Sequence, residues 1–260
     1  MTRTILITGA TDGIGLLTAR TLAAEGHKVL LHGRSADKLA TAARKVGGDP
    51  ETFRADLSRP DEVEQLASDV LAAHDRLDVL INNAGVLKTP QTRTMNGLDV
   101  RFAVNTIAPY VLTRRLLPII PKDGRVVNLS SAAQAPVDIS AMGGKTRLDD
   151  MSAYAQSKLA ITIWSQEMAK ELPGGPVVVA VNPGSLLASK MVREGFGMAG
   201  NDLRIGADIL RRAALSDDFA AASGKYFDND SGRFAPPNPA ARDPGQVSAV
   251  MTALGTLAGV

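Results

Sequence analysis

The chain has no cysteine and only three histidines, His27, His32 and His74. Without cysteine there is no disulfide, no thiolate metal site and no cysteine nucleophile. The histidines show no metal-ligand spacing, so no metal site is expected. No G-x-S-x-G run is present, which leaves hydrolase chemistry without its strand-to-helix turn. An excess of either charge is lacking too: 29 basic against 27 acidic residues leave a net charge of +2. The basic residues are scattered, which argues against nucleic acid or an anionic membrane surface as a partner. No apolar run approaches the roughly 20 residues that span a bilayer. No charged-then-apolar leader precedes the first strand-like run. These absences point to a soluble, cytoplasmic protein. Internal repeats and interdomain linkers are absent as well, and 260 residues suit one α/β domain with a sizeable core.

What is present is a regular alternation. Strand-like runs fall at residues 5–7, 29–32, 52–54, 79–81, 125–129 and 177–181, with a last short one at 225–227. The runs at 79–81, 126–129 and 177–181 are apolar without alternation, as strands covered on both faces are. Helical patterns fall at 14–24, 36–46, 60–73, 97–117, 152–172 and 201–215. Such alternation predicts a Rossmann-type, doubly wound α/β fold. Its mostly parallel sheet has about seven strands, with helices on both faces. Two irregular stretches, about 133–151 and 184–200, follow strand ends, where open α/β sheets bind ligands. The proline-rich stretch from Gly232 to Pro244 reads as a surface segment.

The first strand runs into a glycine turn. Thr8, Gly9, Ala10, Thr11, Asp12, Gly13, Ile14 and Gly15 lie between the apolar run and the first helix. Strand, glycine turn and helix is the layout that receives a dinucleotide pyrophosphate, with the helix N-terminus facing the phosphate charge. The glycine spacing is T-G-x-x-x-G-I-G rather than G-x-G-x-x-G.

Tyr154 and Lys158 stand four apart on a predicted helix, which places their Cβ atoms about 5–6 Å apart on one face. An ammonium beside a phenol favours the phenolate, so the pair reads as an acid–base couple able to give a proton to a developing alkoxide. The 125–129 strand ends in Ser130 and Ser131. A hydroxyl there sits at the carboxyl edge of the sheet and is placed to hydrogen-bond a carbonyl.

Together these motifs resemble the classical short-chain dehydrogenase/reductase family over residues 4 to about 190, in the family's order. Gly9, Thr11, Asp12, Gly13, Ile14 and Gly15 resemble its cofactor turn. Asp56 and Leu57 resemble its adenine-contacting pair. Asn82-Asn83-Ala84-Gly85 resembles its N-N-A-G. Pro183 and Gly184 resemble the turn that contacts the nicotinamide carboxamide. The resemblance assigns Asn105, Ser131, Tyr154 and Lys158 to the catalytic set, with Tyr154 and Lys158 also touching the cofactor. It implies that Asn105 holds a helix kink, which Pro109 is expected to cause, and a water that leads to the lysine.

Two departures stand out. The Ser131–Tyr154 spacing is about ten residues longer than is common in the family, a count that rests on the motif match. This insertion, around Val137 to Leu148, resembles the retinol-dehydrogenase-like branch, as does Ser223-Gly224-Lys225-Tyr226-Phe227. Ala188 stands where the family often has a carboxamide-contacting threonine, and Ser189 is one place late.

For the cofactor, the second strand ends in His32-Gly33-Arg34-Ser35. An NAD enzyme places an acid about 20 residues after the glycine turn. Here Gly33 occupies that place, and the Arg34 guanidinium offers charge-assisted bonds to a 2′-phosphate, with Ser35 beside it. NADPH/NADP+ is therefore expected in preference to NADH.

The combined expectation is a reductase of lipophilic or aromatic ketones and aldehydes, or a dehydrogenase of the matching alcohols. Met142, Leu186, Leu187, Met191 and Phe196 are candidate apolar walls of its pocket. The alternatives are an epimerase or dehydratase with a tightly held cofactor, and a non-catalytic nucleotide sensor. The family's habit and the long apolar helices around 112–117 and 159–168 suggest a homo-oligomer, a dimer in the first instance.

Overall fold

Short apolar runs form the strands, and the residues on their two sides separate into two cores. The computed structural model describes residues 1–188 and 200–259. Strands β1 (Thr4–Ile7), β2 (Lys28–Gly33), β3 (Thr52–Arg54), β4 (Val79–Asn82), β5 (Arg125–Leu129), β6 (Val177–Asn182), β7 (Tyr226–Asp228) and β8 (Arg233–Ala235) make one sheet in the order β3-β2-β1-β4-β5-β6-β7-β8. All neighbours are parallel except β7 and β8, which pair antiparallel. The sheet thus has one strand more than the sequence suggested.

Helices α1 (Gly13–Ala24), α2 (Ala36–Val46) and α8 (Leu203–Leu215) cover one face. Helices α3 (Pro60–Ala73), α5 (Ala108–Leu116), α7 (Asp150–Glu171) and α9 (Pro244–Ala258) cover the other. Along β1, Ile5 and Ile7 join the first core and Leu6 the second. Alternate side chains of a strand point to opposite faces, so a strand buried on both must be apolar throughout.

Two segments differ from expectation. The proline-rich segment supplies β8 and leads into α9, whose Asp243 side chain caps it by accepting from the Gln246 N–H, with Pro244 in its first turn. Proline suits that place because the first-turn N–H has no helical acceptor. The pattern at 97–117 is not one helix: α4 (Val100–Phe102) and α5 flank a π-turn over Ala103–Ile107. The irregularity lies before Pro109 rather than at it. A short helix, α6 (Ile139–Met142), lies within the insertion, so that stretch is partly regular.

Strand order reverses between β1 and β4, which opens a crevice at the carboxyl ends of the strands. The glycine turn, the Asn83–Gly85 turn, Ser130–Ser131 and Pro183–Gly184 follow β1, β4, β5 and β6 at this edge.

Candidate active site

The glycine turn is built against β4. A Cβ on Gly15 would lie 2.4 Å from both the Gly9 carbonyl oxygen and the Asn83 Nδ2, so helix α1 starts in contact with the turn. Asn83 donates from Nδ2 to the carbonyls of Thr8 (2.8 Å) and Gly9 (3.1 Å), and the Ala84 N–H donates to Thr8 Oγ1 (3.1 Å). Asp12 caps α1 by accepting from the Gly13 N–H at 2.8 Å. Further N–H groups of the first turn, Ile14 and Gly15 among them, have no acceptor within the helix by geometry.

His32 completes this frame, and its role was not visible in the sequence. Its Nδ1 accepts from the Gly9 N–H (3.2 Å) while Nε2 meets the Ala55 carbonyl (3.0 Å). That pattern requires a neutral ring protonated on Nε2. Burial keeps it neutral, pushing its pKa down to about 4. The imidazole therefore ties the end of β3 to the turn after β1.

Gly33 sits close under the glycine turn: a Cβ there would lie 2.5 Å from Thr11 Cγ2 and 3.3 Å from Leu39 Cδ2, so a side chain requires the Thr11 side chain to turn away. Arg34 follows, exposed and without a salt bridge among the described residues, and Ser35 caps α2. Arg54, exposed and the register partner of Gly33 on β3, brings a second guanidinium to this edge. A basic residue two places before Asp56 was its only sequence signal.

Asp56 is half-buried and accepts from the Ser58 N–H (2.9 Å) and Oγ (2.8 Å). The Leu57 side chain is committed to the core, with Val63 and Leu66 in the same cluster. The Pro183 carbonyl accepts from Asn229 Nδ2 (3.0 Å), and the Gly184 N–H donates to Asn182 Oδ1 (3.2 Å).

At the centre, α7 presents Tyr154 and Lys158 to the end of β5. The Tyr154 phenol lies beside Ser131, whose Oγ accepts from the Ala133 N–H (3.1 Å). Lys158, 3% exposed, donates from Nζ to the Leu129 carbonyl at 2.7 Å. Nζ lies 5.6 Å from the centroid of the Tyr154 ring. Burial pushes the Lys158 ammonium down to about 7 and pushes the Tyr154 phenol above its ordinary value, partly offset by Ser131. This departs from the expected lowering of the phenol by the lysine. Nζ is aimed at a backbone carbonyl, and desolvation of both groups outweighs their attraction.

Asn105 is fully buried in the π-turn. Its Oδ1 accepts from the Val86 N–H (2.8 Å), and its Nδ2 donates to the Val86 carbonyl (3.0 Å) and Ser157 Oγ (3.0 Å). Both ends of the amide are thus used in holding α7 against the segment after β4, so its action on Tyr154 or Lys158 is indirect.

The candidate pocket walls scatter. Met142 is fully buried in the core and Leu187 is buried as well, whereas Leu186 is 37% exposed. The insertion folds back on the core through Met142, so that side chain is not a pocket wall. Met191, Phe196 and Ser189 lie outside the described residues. Among the described residues, no helix is long and apolar enough to cross a membrane.

Comparison with known proteins agrees with this arrangement. The family model for short chain dehydrogenase matches residues 3–197. The chain is 31% identical over 251 residues to retinol dehydrogenase 13 of Homo sapiens, covering 87% of this chain and 76% of that protein. It is 34% identical over 244 residues to retinol dehydrogenase 12 of Mus musculus, covering 86% and 77%. Among solved structures, a protein of Mycobacterium paratuberculosis superposes with a TM-score of 0.82 at 30% identity, covering 99% of this chain and 94% of that one. A short chain dehydrogenase of Escherichia coli complexed with NADPH superposes with a TM-score of 0.69 at 31% identity, covering 87% and 96%.

Proposed function

The chain belongs to the short chain dehydrogenase family, in its retinol-dehydrogenase-like branch, and from that premise we propose that it is an NADPH-dependent carbonyl reductase, running in reverse as an alcohol dehydrogenase. The observation that carries this reading is the convergence of Ser131, Tyr154 and Lys158 at the end of β5, next to a glycine turn with no room for a side chain at Gly15. Residues 1–260 act as one dinucleotide-binding and catalytic domain.

The glycine turn and the start of α1 receive the pyrophosphate, and Arg34 and Ser35 receive the 2′-phosphate. Asp56 and Leu57 border the adenine, Leu57 through its backbone. Asn83, Ala84 and Gly85 shape the floor, and Pro183 and Gly184 border the nicotinamide. Once bound, the cofactor supplies a hydride to the carbonyl carbon. Tyr154 holds its proton at neutral pH, since burial raises its pKa, and delivers it to the carbonyl oxygen. Ser131 Oγ donates to the same oxygen and fixes it beside the phenol. Lys158, buried beneath the Tyr154 ring, orients the ribose and favours the phenolate left after transfer. Asn105 is a positioning residue that fixes α7.

For the substrate we favour a lipophilic or aromatic ketone or aldehyde. Exposed Leu186 at the sheet edge supports this, as do relatives named for retinol. A panel of diverse carbonyls with NADPH tests the proposal: steady loss of the reduced cofactor is expected with apolar members. An epimerase or dehydratase returns its hydride and consumes none, and a nucleotide sensor binds NADPH without turnover.

The buried apolar side chains around 112–117 and 159–168 do not themselves form the interface of the expected homo-oligomer. Leu112, Leu116, Leu159, Ile163, Trp164 and Met168 are fully buried, in the core cluster that also holds Val250 and Leu254 of α9. A stable interface needs about 800 Å² of open surface on each partner, and α9 takes part of this face. Light scattering at micromolar concentration is expected to give twice the 27.3 kDa of one chain, and a mass near 27.3 kDa would overturn the homo-oligomer.

A further inference from the structure

Ser131 is held from behind by residues that the reading above does not use. Its backbone carbonyl accepts two hydrogen bonds, from the Tyr226 hydroxyl at 3.0 Å and from Gln134 Nε2 at 2.8 Å. Tyr226 comes from β7, at 5% exposure, and lies 95 positions along the chain from Ser131. Gln134 is fastened in turn by Asn238: the Asn238 N–H donates to Gln134 Oε1 (3.0 Å), and Asn238 Nδ2 donates to the Gln134 carbonyl (3.1 Å). The Ser131 peptide is thereby pinned from β7 on one side and from the segment after β8 on the other.

A carbonyl with both lone pairs engaged, one by β7 and one by a side chain of its own loop that Asn238 holds, has little freedom to rotate its peptide plane. Ser131 Oγ extends from the same residue, beside the Tyr154 phenol. Any rotation of that peptide swings the hydroxyl away from the point where the carbonyl oxygen of a substrate must sit. Tyr226 suits a permanent donor. Burial, with the carboxylates of Asp228 and Asp230 nearby, raises its pKa, so it keeps its proton across the working range.

We propose that Tyr226 and Gln134 are positioning residues that clamp the Ser131 carbonyl and so aim the Ser131 hydroxyl at the reacting oxygen. This rests on the assignment of Ser131 under the proposed function. The clamp makes the C-terminal quarter of the chain part of the catalytic apparatus without placing any of its atoms on the substrate.

The test is a cycle of Tyr226→Phe against Ser131→Ala, read as single-turnover rates with enzyme in excess so that slow variants remain measurable. Phenylalanine keeps the ring and removes only the donor. Loss of one neutral hydrogen bond corresponds to about a fivefold change. Tyr226→Phe is expected to slow turnover about that much with the affinity for NADPH unchanged. In the Ser131→Ala background it is expected to cost nothing further, because its effect passes through the hydroxyl already removed. Gln134→Met, which removes the second donor, is expected to follow the same pattern. An unchanged rate in Tyr226→Phe would overturn the clamp. The same slowing in both backgrounds would also overturn it, by showing a merely structural role. A Ser131→Ala variant as fast as the parent would remove the assignment of Ser131 itself, and the clamp with it.

Discussion

Tyr154→Phe is expected to lower kcat at least about 100-fold while leaving the fold intact, since general acid catalysis contributes roughly 10²–10⁴. The phenol is half-buried on α7 beside Ser131, the place where a carbonyl oxygen would lie. Phenylalanine fills the same volume and removes only the hydroxyl. The melting temperature should therefore stay close to that of the parent. Steady-state turnover with any carbonyl that the parent reduces checks this. Near-normal turnover in the variant would mean that the proton comes from elsewhere.

Arg34→Ala is expected to weaken NADPH binding by roughly 10- to 100-fold and NADH binding far less. A charge-assisted hydrogen bond contributes about 1.5–3 kcal/mol. The side chain is exposed, so solvent screening places the effect toward the lower end of that range, and the preference should shrink as salt rises. The structure adds a physical reason for the absence of an acid at this point. At Gly33 even a methyl group would strike the Thr11 side chain, so an NAD-type acid requires that side chain to move aside. Titration with both cofactors at low and moderate salt decides the matter. An equal loss for both would show that Arg34 does not read the phosphate.

The parts legible in the sequence were those written in local patterns. Continuous apolar runs such as Val177–Val181 gave the buried parallel strands, because a strand covered on both faces has no polar side to show. The four-residue spacing of Tyr154 and Lys158 placed them on one face of α7, where the structure has them stacked. Other features depended on distant partners. Met142 reads as a pocket wall from its irregular surroundings, yet the insertion folds it into the core against α7 and α9. Tyr226 sits in a three-residue strand whose pattern says nothing of Ser131. His32 looks like one more residue of β2 until its two nitrogens are seen bridging Gly9 and Ala55. Helix α9 is a different case. Asp243 and Pro244 carry its start signal, but the preceding prolines mask it in a scan for periodicity.

The most direct measurement of the central claim is isotope tracing in the carbonyl reaction. NADPH is deuterated at the transferring position of the nicotinamide, and the product alcohol is examined by mass spectrometry and NMR. Hydride transfer with proton delivery from Tyr154 predicts one deuterium on the carbinol carbon and none drawn from deuterated solvent at that carbon. An alcohol that takes its carbinol hydrogen from solvent, or a labelled cofactor recovered unconsumed across the whole carbonyl panel, would contradict it.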